Sequence, residues 1–520
     1  MQSHVTPHQD DTQDPGASDN TLTNATPEGQ RESPGTTSEY QPPVSASTGL
    51  PSKWTVLAIV AIGVFMATLD SSIVNISLPS IARFFGVPLA GAVEWVIIAY
   101  LVVIAAVLLT VGRLADMIGR KPIWASGLVI FTLGSALSGV APALGFLVAA
   151  RAFQGLGGAL LMAISPAMLT TAFPPTERGR ALGLNAVVVA LGVSAGPTIG
   201  GILTEYFTWR SIFYVNVPLG IAGFIATLLL LKENVQRGRG RFDPAGAGLL
   251  GVGLASLTLG LSFGEEWGWL SGRVIAAVAI AVVCLAGLVI VELRVPDPIV
   301  ALSLFKNRVF ASANLSLVLS FLALFAVSFL LPFYLEQLRG FSTIESGFLL
   351  TPLPLTIAVV APFSGSLADR IGTRWLAASG LAIACVGLLL LSGLNAHSSV
   401  FDIVWRLIVT GLGQGMFQSP NNSALMGAAP RTRQGVAAGF LATGRVIGQS
   451  VSVALAGAVF AAYGGAVAGQ QLSGQPSSTQ VASLEQTFQS GFHAALVVCA
   501  AIAAIGVFTS LVRGKEELSQ

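Results

Sequence analysis

The chain has 520 residues, of which 53% are hydrophobic and only 10% charged, with a formal net charge of +2 and a mean hydropathy of +0.75. Soluble proteins carry about 25% charged residues, so a set of water-facing globular domains is excluded, and so small a net charge says little about partners. The apolar residues fall instead in blocks of about 20, the length that crosses a bilayer core.

Residues 1–52 are rich in Ser, Thr, Pro, Gln and acids and poor in large aliphatics, too polar to bury a core. They lack the basic start and apolar run of a signal peptide. This stretch reads as a disordered cytoplasmic tail, with a regulatory docking segment as the alternative. From Trp54 onward hydropathy predicts fourteen spans, near 54–78, 91–111, 122–141, 145–172, 180–203, 210–231, 244–264, 272–292, 311–334, 344–366, 375–394, 401–428, 434–462 and 491–512. With the N-terminus inside, Arg113, Arg120, Lys121, Arg237, Arg239, Arg241, Arg370, Arg374, Arg431 and Arg433 fall in inner loops. The outer ends hold Arg83, Arg210, Arg273, Arg339 and Arg406. That bias sets both termini in the cytoplasm of a cell-membrane protein.

The halves repeat. Gly112 to Lys121 (GRLADMIGRK) returns as Gly365 to Arg374 (GSLADRIGTR), offset by 253, and Gly155-Leu156-Gly157 returns as Gly411-Leu412-Gly413, offset by 256. Gly179, Gly183 and Gly192 match Gly435, Gly439 and Gly448, again at 256. The period is eight spans, or six plus an inserted pair. The expected organisation is a six-helix bundle over 53–231, a linker with spans 7 and 8 over 232–300, a second bundle over 301–512 and a tail over 513–520. Repeats of this kind are typical of transporters that rock one half against the other.

Four motifs stand along this frame. The first is the loop Gly112, Arg113, Asp116, Gly119, Arg120, Lys121, repeated at Asp369, where glycines permit a tight turn between nearly touching helices. The second is Gly-x8-Gly-x3-Gly-Pro-x2-Gly-Gly in span 5, met by Gly183, Gly192, Gly196, Pro197, Gly200 and Gly201; small residues let helices approach and proline bends them. The third is Leu69 to Pro79 (LDSSIVNISLP) at the end of span 1, and the fourth Trp209 to Pro218 (WRSIFYVNVP).

Together these motifs resemble those of the major facilitator superfamily, in its fourteen-helix drug:proton antiporter branch (EmrB/QacA type), over about residues 54–512. Ser72 and Ser211 depart from the branch's usual Thr and Trp. The resemblance implies an all-α polytopic fold of two six-helix bundles plus a two-helix insertion. It implies that Asp116 faces the start of span 13, near Gln434 and Gly435, and locks the cytoplasmic side shut. It also implies that the span 5 signature marks an exporter.

Ionisable residues deep in a bilayer are costly, so each is a functional candidate. Three stand out: Asp70, Arg151 and Arg445. Asp70 lies eight residues before Leu78, roughly 12 Å from the outer end, and Arg151 six past Gly145, roughly 9 Å from the same face. The two sit at similar depth, and the resemblance implies that spans 1 and 4 both line the cavity, so they could meet or share a water. A carboxyl so placed can take up and release a proton as its surroundings change, because burial favours the neutral form and a neighbouring cation the charged one. Arg445 matches no motif and reads as a packing or a cavity-lining cation.

Candidate substrate-cavity residues are Asn75, Gln154, Phe321, Phe325, Phe329, Gln414, Gln418, Asn421 and Arg445. The Phe stripe on span 9 serves either packing and lipid contact or an aromatic wall for apolar substrates. Spans 9 to 14 show no mid-membrane acid, which suits neutral or monovalent lipophilic substrates. Cys284, Cys385 and Cys499 sit in apolar blocks without metal-ligand spacing, and no phosphate-binding loop appears. No metal, cofactor, enzymatic constellation or nucleic-acid partner is expected. The expected partners are the bilayer, protons and a small-molecule substrate, served by a monomer. The expected function is proton-coupled multidrug export by alternating access. Alternatives are an exporter of one metabolite (an antibiotic, siderophore or amino acid) and a non-transporting sensor, against which the span 5 signature and Asp70 argue.

Overall fold

The computed structural model describes residues 52–88, 91–174, 177–231, 244–294, 302–429, 434–474 and 477–513. The expected tail over 1–51, the linker over 232–243 and most of 513–520 lie outside them. In chain order the helices are α1 (Lys53–Phe85), α2 (Trp95–Ile118), α3 (Arg120–Gly139), α4 (Leu144–Ala172), α5 (Arg178–Tyr206), α6 (Ser211–Tyr214), α7 (Asn216–Leu230), α8 (Pro244–Ser262), α9 (Gly264–Trp267) and α10 (Gly272–Arg294). They continue with α11 (Arg308–Phe333), α12 (Thr343–Leu350), α13 (Pro352–Ile371), α14 (Thr373–Ser392), α15 (Val400–Gly427), α16 (Gln434–Ala462), α17 (Gly465–Ser473) and α18 (Ser478–Leu511). A π turn, Tyr334–Leu338, extends α11. An apolar chain in hydrocarbon must satisfy its backbone internally, and helices do so within one segment.

Among the described residues, 12 helices are long and apolar enough to cross a membrane. Spans 2 and 7 of the sequence reading correspond to shorter apolar stretches, Trp95–Leu108 and Gly248–Ser262. Span 1 was expected to end near residue 78. It runs on through Pro79 to Phe85 and stops at Gly86, whose φ of 66° is left-handed and suits glycine. Helix starts at the exposed loops are written in capping boxes. Ser342 with Glu345 opens α12, and Ser399 with Asp402 opens α15.

The internal repeat is visible as repeated helix crossings. A Cβ on Gly157 of α4 would press on the backbone of Phe131 in α3, and one on Gly413 of α15 on the backbone of Ala384 in α14. Those pairs are related by the same 256 and 253 offsets, so equivalent glycines bring equivalent helices backbone to backbone. The tight turns repeat too: Gly119 (φ 109°) and Gly372 (φ 88°) each join two helices directly, in a backbone conformation that favours glycine.

α1 to α7 pack on one another and α11 to α18 on one another, while α8 of the inserted pair leans on both α2 and α16. The halves meet through α5 against α12 and α2 against α16. The start of α1 and the end of α18 share one end of the bundle, here the near end. At the far end Arg83 Nη2 donates to Glu336 Oε2 at 3.0 Å, and Glu205 Oε2 accepts from the Thr343 N–H at 3.2 Å. Slightly deeper, the Thr198 and Thr351 hydroxyls meet at 2.7 Å. Among the described residues, every hydrogen bond between the two halves belongs to this set, so the protein is closed at its far end.

Candidate functional site

Asp70 sits mid-way along α1, fully buried, and Arg151 on α4 reaches it with Nη1 2.6 Å from Oδ2. The other carboxylate oxygen, Oδ1, accepts from Gln154 Nε2 at 2.9 Å and from Asn216 Nδ2 at 3.0 Å. Both amides also donate to Ser135 Oγ, at 2.7 Å and 3.2 Å. Arg151 is held on its remaining sides. Its Nε donates to the Val96 carbonyl at 3.0 Å, Nη1 also reaches Gln154 Oε1 at 2.6 Å, and the Tyr100 ring lies 4.3 Å beneath the guanidinium. Five helices contribute: α1, α2, α3, α4 and α7. Paired and hydrogen-bonded charges are the form in which a buried ion pair is tolerable.

Local sequence builds this cluster. Gly134 on α3 has no room for a Cβ, which would lie 2.6 Å from the Gln154 Cα, so α3 lies directly on α4 and delivers Ser135 beside Gln154. On α1, Thr68, Ser72 and Ile76 flank Asp70 at helical spacing and meet Gly192, Gly196 and Gly200 of α5 in the same order. The span 5 signature is thus a rail on which α1 lies. The next residues face the other half: a Cβ on Gly201 would come 2.6 Å from the Thr343 carbonyl, and Gly347 of α12 abuts the Pro197 carbonyl. Asp70 is therefore tied through α1 and α5 to the seam between the halves. Gly183 lies outside the described side chains.

Asp70 and Arg151, expected at similar depth, pair directly, but Gln154 departs from its expected place. It was expected on a cavity wall and is spent inside the cluster, where its amide both donates to Asp70 and accepts from Arg151. Asn421 departs likewise: it donates to the Ala313 carbonyl at 3.0 Å and accepts from Arg513, fastening α15 to α11 and to the end of α18. Asn75 is buried, with an Oδ1 that has no partner. Of the Phe stripe, Phe321 and Phe329 are buried and Phe325 is partly exposed, so packing takes most of it. Gln414 and Gln418 are partly exposed, and Arg445 lies over the Phe321 ring at 5.2 Å.

At the near end Arg120 donates to the Ala167 carbonyl at 2.9 Å and to Thr171, and Lys121 donates to the Leu231 carbonyl at 2.5 Å. These two bases thus sit on the C-terminal ends of α4 and α7, where the helix dipole favours cations. The side chains of Arg113, Asp116 and Asp369, and the site of Gly112, lie outside the described set. Glu336 is buried in the π turn and pairs with Arg83, because α11 continues past Phe333. Sequence reasoning missed Ser135 and Asn216 as site residues. Asn216 had a signal, being an amide inside the motif Trp209 to Pro218, whereas Ser135 had none. A cavity of about 670 Å³ at the far end, lined by Asn395, Tyr463, Gln489 and His493 among others, shares no residue with the cluster.

Comparison with known proteins agrees with this architecture. The Major Facilitator Superfamily profile matches residues 60–453 and again 354–518. The riboflavin transporter RibZ of Clostridioides difficile is 37% identical over 412 residues, covering 79% of this chain and 88% of that protein. The multidrug resistance protein Stp of Mycobacterium tuberculosis (strain CDC 1551 / Oshkosh) is 34% identical over 408 residues, 78% of this chain and 76% of Stp. Among solved structures, a bacterial homologue of the human lysosomal transporter Spinster superposes with a TM-score of 0.65 at 16% identity, covering 89% of this chain and 96% of that one. An all-helical transporter fold with a buried charge cluster in one half defines the class, a multi-pass membrane transporter. The chain belongs to the major facilitator superfamily.

Proposed function

We propose that the protein is a drug:proton antiporter that moves small lipophilic or amphipathic compounds out across the cytoplasmic membrane. In this reading fourteen segments cross the bilayer, in two six-helix bundles plus the inserted pair. Both termini are cytoplasmic, so the far end faces outward and the closed far end is an outward-shut state. Asp116 locks the near end in the opposite state. The observation that carries the reading is the Asp70–Arg151 pair at 2.6 Å, an acid buried in a transporter half whose α1 is tied to the moving seam.

The chemistry follows from the cluster. Ionised Asp70 is held by Arg151, Gln154 and Asn216. When the far end opens and a proton arrives, neutral Asp70 no longer holds the Arg151 charge, and its new hydroxyl needs an acceptor. Asn216 supplies one, since its Oδ1 is buried without a partner and a half-turn of the amide presents it. Arg151 stays anchored by the Val96 carbonyl, Gln154 and the Tyr100 ring. Weakening the α1–α4 tie shifts α1 on the α5 rail and so biases the contacts at Pro197 and Gly201. Release of the proton to the cytoplasm restores the pair and resets the state.

The test uses inverted vesicles energised inside-acid. A substrate found by screening a chemically broad drug panel in an exporter-depleted host should dissipate the pH gradient. A protonophore should abolish its uptake, and Asp70→Asn should lose accumulation while keeping downhill exchange. Undiminished accumulation without any ion gradient would overturn the antiport reading. A second reading, export of one metabolite, is favoured by the similarity to a riboflavin transporter. Protection confined to one chemical compound in the panel would select it.

A further inference from the structure

Arg151 and Arg445 both lie well inside their helices, and their surroundings differ sharply. Arg151 has a carboxylate, an amide oxygen, a backbone carbonyl and two aromatic rings around it. Arg445, eleven residues into α16 and so roughly 16 Å from the near end, has an aromatic face and nothing else. Its guanidinium stands over Phe321 at 5.2 Å, its Nε is enclosed without a partner, and among the described residues it donates no hydrogen bond and joins no ion pair. The other acids described in α11 to α18 are committed elsewhere or remote. Glu336 pairs with Arg83, Glu345 and Asp402 close capping boxes, and Glu485 lies near the start of α18.

An arginine cannot shed its charge in a protein, so Arg445 cannot become neutral to suit its depth. A bare cation at such depth costs several kcal/mol unless water or a ligand solvates it. The side chain is partly exposed, with its Nε enclosed. Its position is built. Gly448 brings α11 so close that a Cβ there would sit 2.8 Å from the Phe321 Cβ, and Gly444 keeps the turn below equally bare. The ring is thereby pressed under one face of the guanidinium, while its Nη groups, which can pair two-pronged with a carboxylate, donate to no described residue.

The geometry points to Arg445 and Phe321 as a subsite for the anionic group of an aromatic, monoanionic amphipathic substrate, such as a carboxylate or an acidic phenol. This rests on the export reading above and specifies the substrate class for it. The unpaired edge takes the anion, and Phe321 offers an apolar face to the ring that carries it. A further consequence follows for energetics. Exchange of n protons inward for one monoanion outward moves n + 1 charges inward, so the membrane potential assists export. A cation exchanged the same way moves only n − 1.

The experiment is binding to purified protein in detergent of three probes of one shape: 2-naphthoate, 2-naphthamide and 2-naphthylmethylammonium, followed by calorimetry. The expected result is naphthoate binding at least tenfold tighter than the other two. Arg445→Gln should erase that preference without weakening the amide, and Arg445→Lys should keep part of it. An unchanged melting temperature and an intact naphthamide affinity in Arg445→Gln certify its fold. Equal binding of the three probes to the wild type, no binding of any, or a preference that survives Arg445→Gln would each overturn the proposal. Because no gradient is involved, these outcomes leave the antiport reading untouched. Conversely, a chain that binds naphthoate through Arg445 but never moves protons would fail the antiport reading alone.

Discussion

Removing both members of the Asp70–Arg151 pair should cost less than the sum of the two single removals. Asp70→Asn can keep its bonds to Gln154 and Asn216 through the amide oxygen. Its NH2, however, replaces Oδ2 and meets Arg151 Nη1 donor against donor. The guanidinium, only 1% exposed, is then a buried charge without a counter-ion, and breaking such a pair costs about 3–5 kcal/mol. Arg151→Gln leaves the opposite orphan, a carboxylate with amide donors alone, at a cost on the same scale. The double variant is neutral and can rebuild amide hydrogen bonds with Gln154, Asn216 and Ser135, so about 2 kcal/mol or more should return as coupling. Thermal unfolding of purified protein, read by tryptophan fluorescence, measures this. For a chain of this size the unfolding entropy is roughly 1 kcal/mol per kelvin, so each single variant should melt about 3–5 °C low and the double variant should regain about 2 °C or more over the sum of the two losses. Strictly additive losses, or single variants that melt like the wild type, would refute the claim that the cluster is one electrostatic unit.

Gly196→Val should drive a side chain into Ser72 and lift α1 from α5, costing about 1–3 kcal/mol by overpacking and abolishing drug resistance at normal expression; full resistance would mean the rail does not matter. Arg83→Ala should loosen the far end, because Glu336 is left buried without its cation. Labelling of a cysteine placed at Thr198 should then rise severalfold from the outside, and unchanged labelling would make the pair ornamental. Asp116→Asn should raise labelling from the cytoplasm by about the factor of five that 1 kcal/mol represents, the scale of a helix-end charge interaction. Normal turnover with unchanged labelling would reduce Asp116 to a topology residue.

Length and hydropathy carried most of the fold, because a segment in hydrocarbon has one way to satisfy its backbone. The pairing of Asp70 with Arg151 was legible from depth together with the family resemblance, since a helix rises uniformly and the resemblance makes spans 1 and 4 neighbours. What depth cannot give is azimuth. Gln154 and Asn421 were assigned to a cavity because amides there are useful, yet each turns toward a neighbour's polar group. Nothing in a single chain of letters says which face of α4 or α15 meets α3 or α11. The end of span 9 was missed for another reason: the π turn carries α11, and Glu336 with it, beyond the residue 334 that hydropathy suggests. Ser135 escaped notice because serines in apolar helices usually bond their own backbone, as Ser138 does to the Gly134 carbonyl at 2.8 Å.

The central claim is that Asp70 carries the proton that substrate exchanges for. Purified protein in weakly buffered detergent, given a substrate from the drug panel, should release protons in a stoichiometric, saturable way, and Asp70→Asn should release none while still binding that substrate. Equal release from the wild type and from Asp70→Asn would contradict the account and move the search for the proton site to another acid, the fully buried Glu94 first.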